Sequence, residues 1–286
     1  MIDAETYQAL VHEVCELVRR GGRRGRIPLS PEVAAMLKTI GAAPPSPPSA
    51  KSRDAGAVPA PAPSPAPTPL EAPPSDMDLP HPDDHAGLLA YIEREVKVCE
   101  KCPLHQSRRN TVFGTGDPNA RIVFVGEAPG EDEDRQGKPF VGRAGELLTR
   151  IIEGGMKIPR ESVYICNVLK CRPPGNRDPN PEEVYYCEPY LTRQLEALRP
   201  KVICALGRHA AMALLKVPES TTVGRMRGKW YDYHGIPVRV TYHPSYILRC
   251  EDDPVRLKQE KQKVWDDVLK VKAKAEEEPS AARAPE

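Results

Sequence analysis

Fourteen of the 33 prolines in this 286-residue chain fall between Pro44 and Pro82, and no single core can be threaded through such a stretch. Residues 41–84 are mostly Pro, Ala and Ser with almost no large apolar side chain. They cannot bury enough surface to offset the entropy of ordering the chain, so they predict an extended, disordered linker. The linker divides the sequence into a small helical N-terminal segment at residues 1–40, a folded domain at 85–272 and a flexible tail at 273–286. In the first segment Tyr7, Leu10, Val11, Val14, Leu17 and Val18 share one face of a predicted helix over residues 4–20. Gly21 and Gly22 stop it, and Ser30-Pro31-Glu32 opens a second helix to Ile40. The arginine cluster between them, Arg19 to Arg26, reads either as a solvated turn or as a contact to DNA or a protein partner.

A formal net charge of +1 counts against a protein that coats nucleic acid through a global field, so any grip on phosphates must come from local patches. No run approaches the ~18 apolar residues of a membrane span. The N-terminus lacks a basic start followed by an apolar stretch, so neither a membrane nor a secretory fate is expected. The expectation is a cytoplasmic monomer in a reducing compartment. There eight cysteines serve better as metal ligands or core residues than as disulfides.

Within residues 85–272, apolar runs alternate with helical patterns. Ile122–Val125, Val163–Cys166, Val202–Leu206 and Val238–Thr241 read as strands, and Gly142–Glu153, Pro181–Leu198, Arg208–Leu215 and Pro254–Lys272 as helices. The alternation predicts an α/β fold, a three-layer α/β/α sandwich around a four-stranded, largely parallel sheet. Ligands of such sheets bind outside the carboxyl ends of the strands. Here those ends carry Gly126-Glu127-Ala128-Pro129-Gly130, Asn167, Gly207 and His243-Pro244.

Cys99 and Cys102 form a C-x-x-C pair before the first strand, Cys171 follows the second, and Cys187 lies in the next helix. Four thiolates brought together by the fold fit either zinc or an iron–sulfur cluster. Cys166 and Cys204 alternate with aliphatics and read as core, as does Cys15 on its helix, while Cys250 is ambiguous.

Taken singly, a Gly-Glu-Ala-Pro-Gly turn, a histidine or an asparagine at a strand end is weak evidence. Together and in order they are specific. Cys99-x-x-Cys102, Val125-Gly-Glu-Ala-Pro-Gly-Glu-Asp-Glu-Asp134, Gly137-Lys-Pro-Phe-Val-Gly-Arg-Ala-Gly145, Asn167-Val-Leu-Lys-Cys-Arg-Pro-Pro174, Cys187 and His243-Pro-Ser-Tyr-Ile-Leu-Arg249 span most of the body. This set resembles family 4 of the uracil-DNA glycosylases, the thermophile and bacterial type that carries a 4Fe–4S cluster. The resemblance implies a monofunctional glycosylase that starts base excision repair on uracil-containing DNA. It implies that Cys99, Cys102, Cys171 and Cys187 bind the cluster, that Phe140 stacks on the flipped base and that Asn167 reads its edge. Gly126 and Ala128 would supply backbone around the base, Glu127 and His243 would flank it, and Glu133 and Asn176 would support catalysis.

The chemistry fixes what those residues must do. An amide can match the N3–H donor and O4 acceptor of uracil, provided that second-shell hydrogen bonds stop it turning over. A neutral imidazole N–H can stabilise the uracil anion that forms as the bond breaks, and nearby negative charge favours the sugar cation. Ile247 or Leu248 is expected to wedge into the gap left by the base, with Arg249 on a phosphate. Lys170, Arg172, Arg225, Arg227 and Lys229 are candidate backbone contacts. A relative that traps uracil through a histidine is disfavoured, because Cys171-Arg-Pro-Pro-Gly-Asn-Arg-Asp178 holds none. A non-catalytic DNA-binding module and a zinc-ribbon-like binder are the competing classes.

Overall fold

The computed structural model describes residues 80–277. The helices expected in 1–40, the basic cluster, Cys15, almost all of the linker and residues 278–286 lie outside the described residues.

Helix α1 (His85–Lys97), capped by the Asp84 carboxylate, leads into a six-stranded sheet. Its strands are β1 (Thr115–Gly116), β2 (Ile122–Gly126), β3 (Tyr164–Asn167), β4 (Val202–Leu206), β5 (Trp230–Tyr233) and β6 (Ile236–Thr241), in the order β1-β3-β2-β4-β6-β5. The four expected strands form its parallel centre. The expected four-stranded sheet is corrected to six by antiparallel edges, since β1 pairs with β3 and β5 with β6. A two-residue β1 carries no readable pattern. The β5–β6 hairpin turns on His234 and Gly235, both at positive φ, as a type I′ turn requires.

Alternation along the strands sorts the core into two layers. Val123, Val125, Ile203, Ala205, Val238 and Val240 face α1, α4 (Pro181–Leu198) and α5 (Arg208–Leu215). Ile122, Phe124, Ile165, Val202 and Cys204 face α3 (Arg143–Thr149) and α8 (Pro254–Glu276). The closing helix thus runs past Lys272, and α3 continues as a π-helical turn over Arg150–Met156. Three short helices complete the body: α2 (Glu131–Gln136), α6 (Val223–Met226) and α7 (Pro244–Leu248). The first, missed in the sequence, has no apolar period. Its four acidic residues in the first turn suit a helix N-terminus, and Gly137 at φ 70° ends it. Strand β2 lies between β3 and β4, so the chain crosses in both directions from it and leaves a crevice at the carboxyl ends.

Candidate active site

The crevice holds a cavity of about 360 Å³ lined by Glu127, Ala128, Phe140, Asn167, Asn176 and His243 among others. At the end of β2, a Cβ on Gly126 would stand 2.3 Å from Asn167 Oδ1 and 2.6 Å from Phe140 Cζ. Only glycine lets both side chains reach over this strand end. Asn167 closes β3 and is 1% exposed, yet among the described residues its Oδ1 has no hydrogen-bond partner. The second-shell bond expected to lock the amide is therefore absent at Oδ1, and packing against Gly126 and Phe140 restrains that end instead. The backbone beyond is fixed: Val168 N–H donates to Gly126 O at 3.0 Å and Leu169 N–H to Glu127 O at 3.0 Å.

Phe140 sits at φ 53°, a conformation an L residue holds only when its surroundings over-determine it. Here they do. Arg160 donates to the carbonyls of Pro139 (3.1 Å) and Phe140 (3.0 Å), and the Phe140 carbonyl lies where a Cβ on Gly145 would be. The next two amides, Val141 and Gly142, donate to Glu133 Oε1 at 2.9 and 3.0 Å, and Gly130 N–H reaches Oε2 at 3.1 Å. Glu133 thus lines the cavity with both oxygens engaged by backbone, as a clamp on the Phe140 loop.

His243 caps α7, and its Nδ1 accepts from Ser245 N–H at 3.2 Å. The neutral ring must then carry its proton on Nε2. Burial, helped by the charge of Arg249 and opposed by Glu127, pushes its pKa down to about 4. The ring is 5.6 Å from that of Phe140, and Gly207 at φ 90° gives it room, since a Cβ there would lie 3.1 Å from the His243 Cβ.

Glu127 Oε2 is 2.6 Å from Nδ1 of His209, a residue the sequence reading missed. Burial favours the protonated carboxyl, but the His209 hydrogen bond and charge, with His243 and Arg208, outweigh it and lower the pKa. The same bond raises that of His209 against burial, with Asp178 assisting from 3.7 Å on the Nε2 side. The available signal was positional: His209 lies two residues beyond Gly207, itself marked as a strand end. Asn176, at φ 55°, accepts from Arg172 Nε at 2.7 Å, which ties Arg172 to the cavity rim.

Two expected DNA contacts need correction. Lys170 is 1% exposed; its Nζ donates to Asn167 O at 2.8 Å and to Gln194, so it is an internal strut out of reach of a phosphate. Ile247 is also 1% exposed, packed in the core under α7, whereas Leu248 is half-buried and Arg249 exposed at the cavity. Arg227 is paired with Asp267 at 2.6 Å, while Arg225 and Lys229 are exposed.

Cys99, Cys102, Cys171 and Cys187 line one small cavity of about 20 Å³. Arg108 donates to Cys171 Sγ at 3.3 Å and Lys170 N–H to Cys187 Sγ at 3.2 Å. Burial pushes the Cys102 and Cys171 thiols up, and Cys187 up to about 12. Among the described residues, the one group of three metal-capable side chains with ligand atoms within 4.8 Å is Glu127, Asp178 and His209. Cys166 and Cys204 are buried in the core, as is Cys250, whose Sγ donates to Tyr246 O at 3.4 Å.

The sequence pattern of the uracil DNA glycosylase superfamily matches residues 113–269. A type-4 uracil-DNA glycosylase of Archaeoglobus fulgidus is 53% identical over 163 residues, which cover 55% of this chain and 81% of that protein. One from Thermotoga maritima is 47% identical over 171 residues, 59% of this chain and 88% of its own. A type-5 uracil-DNA glycosylase of Pyrobaculum aerophilum is more distant, at 34% over 185 residues.

Proposed function

The chain belongs to the uracil-DNA glycosylase superfamily, and we propose that it works there as a monofunctional type-4 enzyme. It flips uracil out of DNA and hydrolyses the N-glycosidic bond, the opening step of base excision repair. One observation carries the assignment of residues: the buried, unpartnered Oδ1 of Asn167 at the cavity floor. A buried acceptor without a donor costs about 1–3 kcal/mol. The N3–H of a flipped uracil supplies the missing donor, and the amide nitrogen meets O4. Cytosine presents an acceptor at N3 and a donor at N4, so both contacts become mismatches.

A base inside a duplex cannot reach this floor, so the nucleotide must be extruded at a cost of a few kcal/mol. Phe140 offers the face on which the base stacks. As the C1′–N1 bond breaks, charge grows on uracil O2, and the Nε2–H of neutral His243 is the donor suited to it. The tautomer set by Ser245 makes that proton available without a raised pKa. The sugar becomes cationic, and the ionised Glu127 favours it while orienting the water that attacks C1′. Ala128 and Gly126 frame the base, Glu133 holds the Phe140 loop, and Asn176 borders the entrance. Leu248 is the wedge that fills the vacated stack, with Arg249 and Arg172 near phosphates.

Four thiol donors around one small cavity fit a 4Fe–4S cluster, which Cys99, Cys102, Cys171 and Cys187 would hold. Arg108 and Lys170 stand beside these sulfurs, where they would offset the charge of bound thiolates. Bound there, the cluster would supply a brace between segments, since hydrolysis transfers no electrons and asks no redox step of it. A cytoplasmic, reducing setting belongs to the same reading, since the thiolates must stay reduced; no described helix is long and apolar enough to cross a membrane.

The test is excision from a labelled oligonucleotide with one uracil and a thymine control, using anaerobically purified protein with iron quantified. Free uracil and an alkali-labile site are expected, with loss of ~30- to 1,000-fold in Asn167→Ala from two unmade contacts. No release by cluster-loaded protein on either single or double strands would overturn the activity. Wild-type rates in Asn167→Ala or His243→Ala would overturn the assignment of residues.

A further inference from the structure

At the cavity, Glu127 has an oxygen gripped by His209, a side chain that none of the strand-end motifs contains. We propose that His209 is a positioning residue for the glycosylase reaction, holding Glu127 in a single rotamer, ionised, against the cavity. The inference rests on the reading of Glu127 as the anion beside the reacting sugar.

The geometry is specific. His209 lies in the first turn of α5, directly after the Gly207 turn that also admits His243. Its Nδ1–H donates to Glu127 Oε2 at 2.6 Å, the length of a charge-assisted bond. Asp178 Oδ2 stands 3.7 Å from Nε2 on the other side, and Arg208 Nη2 is 3.7 Å from the same oxygen. The groups facing the ring are thus two carboxylates, Glu127 and Asp178, against Arg208 and the amino end of a helix, with His243 across the cavity. The carboxylates prevail, which favours the doubly protonated ring.

Three consequences follow for Glu127. With Oε2 held, Oε1 is the oxygen left to orient water or face the sugar. A glutamate has three side-chain torsions, and the tether removes the freedom that would let the carboxylate swing away before the sugar arrives. The His209 hydrogen bond and charge also lower the Glu127 pKa although burial works the other way. A carboxylate of lowered basicity is a poor proton acceptor but a persistent negative charge, which is what an oxocarbenium-like transition state uses.

The experiment is single-turnover excision against pH for wild type, His209→Ala, His209→Asn, Glu127→Gln and the Glu127→Gln/His209→Ala double variant, with duplex affinity and iron content measured alongside. His209→Ala should lose about 10- to 100-fold near neutral pH at unchanged DNA affinity. Its acid limb should move to higher pH, because burial then acts on Glu127 with only His243 and Arg208 left to oppose it. His209→Asn, which keeps an N–H donor without charge, should fall between, and the double variant should be no worse than the poorer single one. Loss in Glu127→Gln with a wild-type rate in His209→Ala overturns the tether alone. So does a loss in His209→Ala that leaves the acid limb in place and adds to that of Glu127→Gln. Full activity in Glu127→Gln overturns the reading of Glu127 itself.

Discussion

Replacing Gly126 by alanine tests the base pocket with a single carbon. The new Cβ would lie 2.3 Å from Asn167 Oδ1 and 2.6 and 2.7 Å from Phe140 Cζ and Cε2, whereas ordinary contact begins at 3.4 Å. The amide oxygen must therefore retreat by roughly 1 Å and the ring edge by somewhat less. Asn167 cannot give way through its backbone, because β3 is bonded to β2 on one side and Lys170 holds its carbonyl on the other. The relaxation has to turn both side chains into the cavity, where the base belongs. A displacement of ~1 Å in a positioning group costs on the order of 100-fold in rate, or about 2.7 kcal/mol. Stability should hold, since the side chains move into open space instead of compressing core. The assay is single-turnover uracil release at saturating enzyme, with Tm and iron content as controls. Gly154→Ala, where nothing lies within 4 Å of the new carbon, is the matched substitution expected to change nothing. A Gly126→Ala rate within threefold of wild type would refute the placement of Asn167 and Phe140 around the base.

Other perturbations separate the remaining roles. Leu248→Ala should slow excision from duplex more than from single strands, whereas Ile247→Ala should cost about 2–5 kcal/mol of stability in a denaturation curve; equal rates on both substrates would remove the wedge. Arg249→Ala should weaken DNA binding and reduce the salt slope of log K by about 1, and Lys170→Met should leave that slope alone; a fall in slope for Lys170→Met would restore it as a phosphate contact. Since burial sets His243 near pKa 4, excision should stay level through pH 6.5, the ordinary histidine value, and decline only as Nδ1 protonates near 4. Between those two values the unfolded chain takes up a proton that the folded one refuses, so the stability contributed by His243 erodes as pH falls through that window. A rate midpoint at 6.5 would show the ring to be solvated. Cys187→Ala should lose iron, brown colour and thermal stability together, and a variant that keeps a full complement of iron would exclude that ligand.

The central sheet was legible because Ile122–Val125, Val202–Leu206 and their partners are apolar on both faces, the mark of strands covered twice. What escaped notice lacks that signal. Helix α2 is wholly polar, and β5 exposes Trp230 and Asp232 along an edge. Asn167, His243 and Phe140 could be located from strand ends and motif order, but their states could not. The empty acceptor on Asn167 and the tautomer of His243 depend on partners distant in sequence or on cap geometry. Lys170 misled because a lysine beside a proposed DNA site is ordinarily solvent-exposed. Here Gln194 and the Asn167 carbonyl, with the Phe113 ring 5.8 Å from Nζ, compensate its burial. His209 escaped because no periodicity distinguishes a residue that faces a cavity from one that faces water.

The position of the cysteines explains why an enzyme that moves no electrons would keep a cluster. Asn167, whose amide is proposed to read the base, is four residues from Cys171, and every link between them is tied down. Val168 and Leu169 donate to the carbonyls of Gly126 and Glu127, Lys170 N–H meets Cys187 Sγ, and Lys170 O accepts from Val112 N–H at 2.8 Å. Lys170 Nζ then closes the loop back onto the Asn167 carbonyl. The carboxyl end of β3 is thus a short bridge with the base pocket at one end and the thiolates at the other. Ligation of Cys171 would fix the far end to α4 through Cys187 and to the segment after α1 through Cys99 and Cys102. Four bonds to one cluster would join three segments without a disulfide. On this argument the brace acts on the pocket through Asn167, so partial loss of iron should raise the KM for uracil-DNA before the fold melts. If activity per folded molecule were independent of iron content, the bridge would be mechanically irrelevant and Lys170 alone would have to hold the pocket.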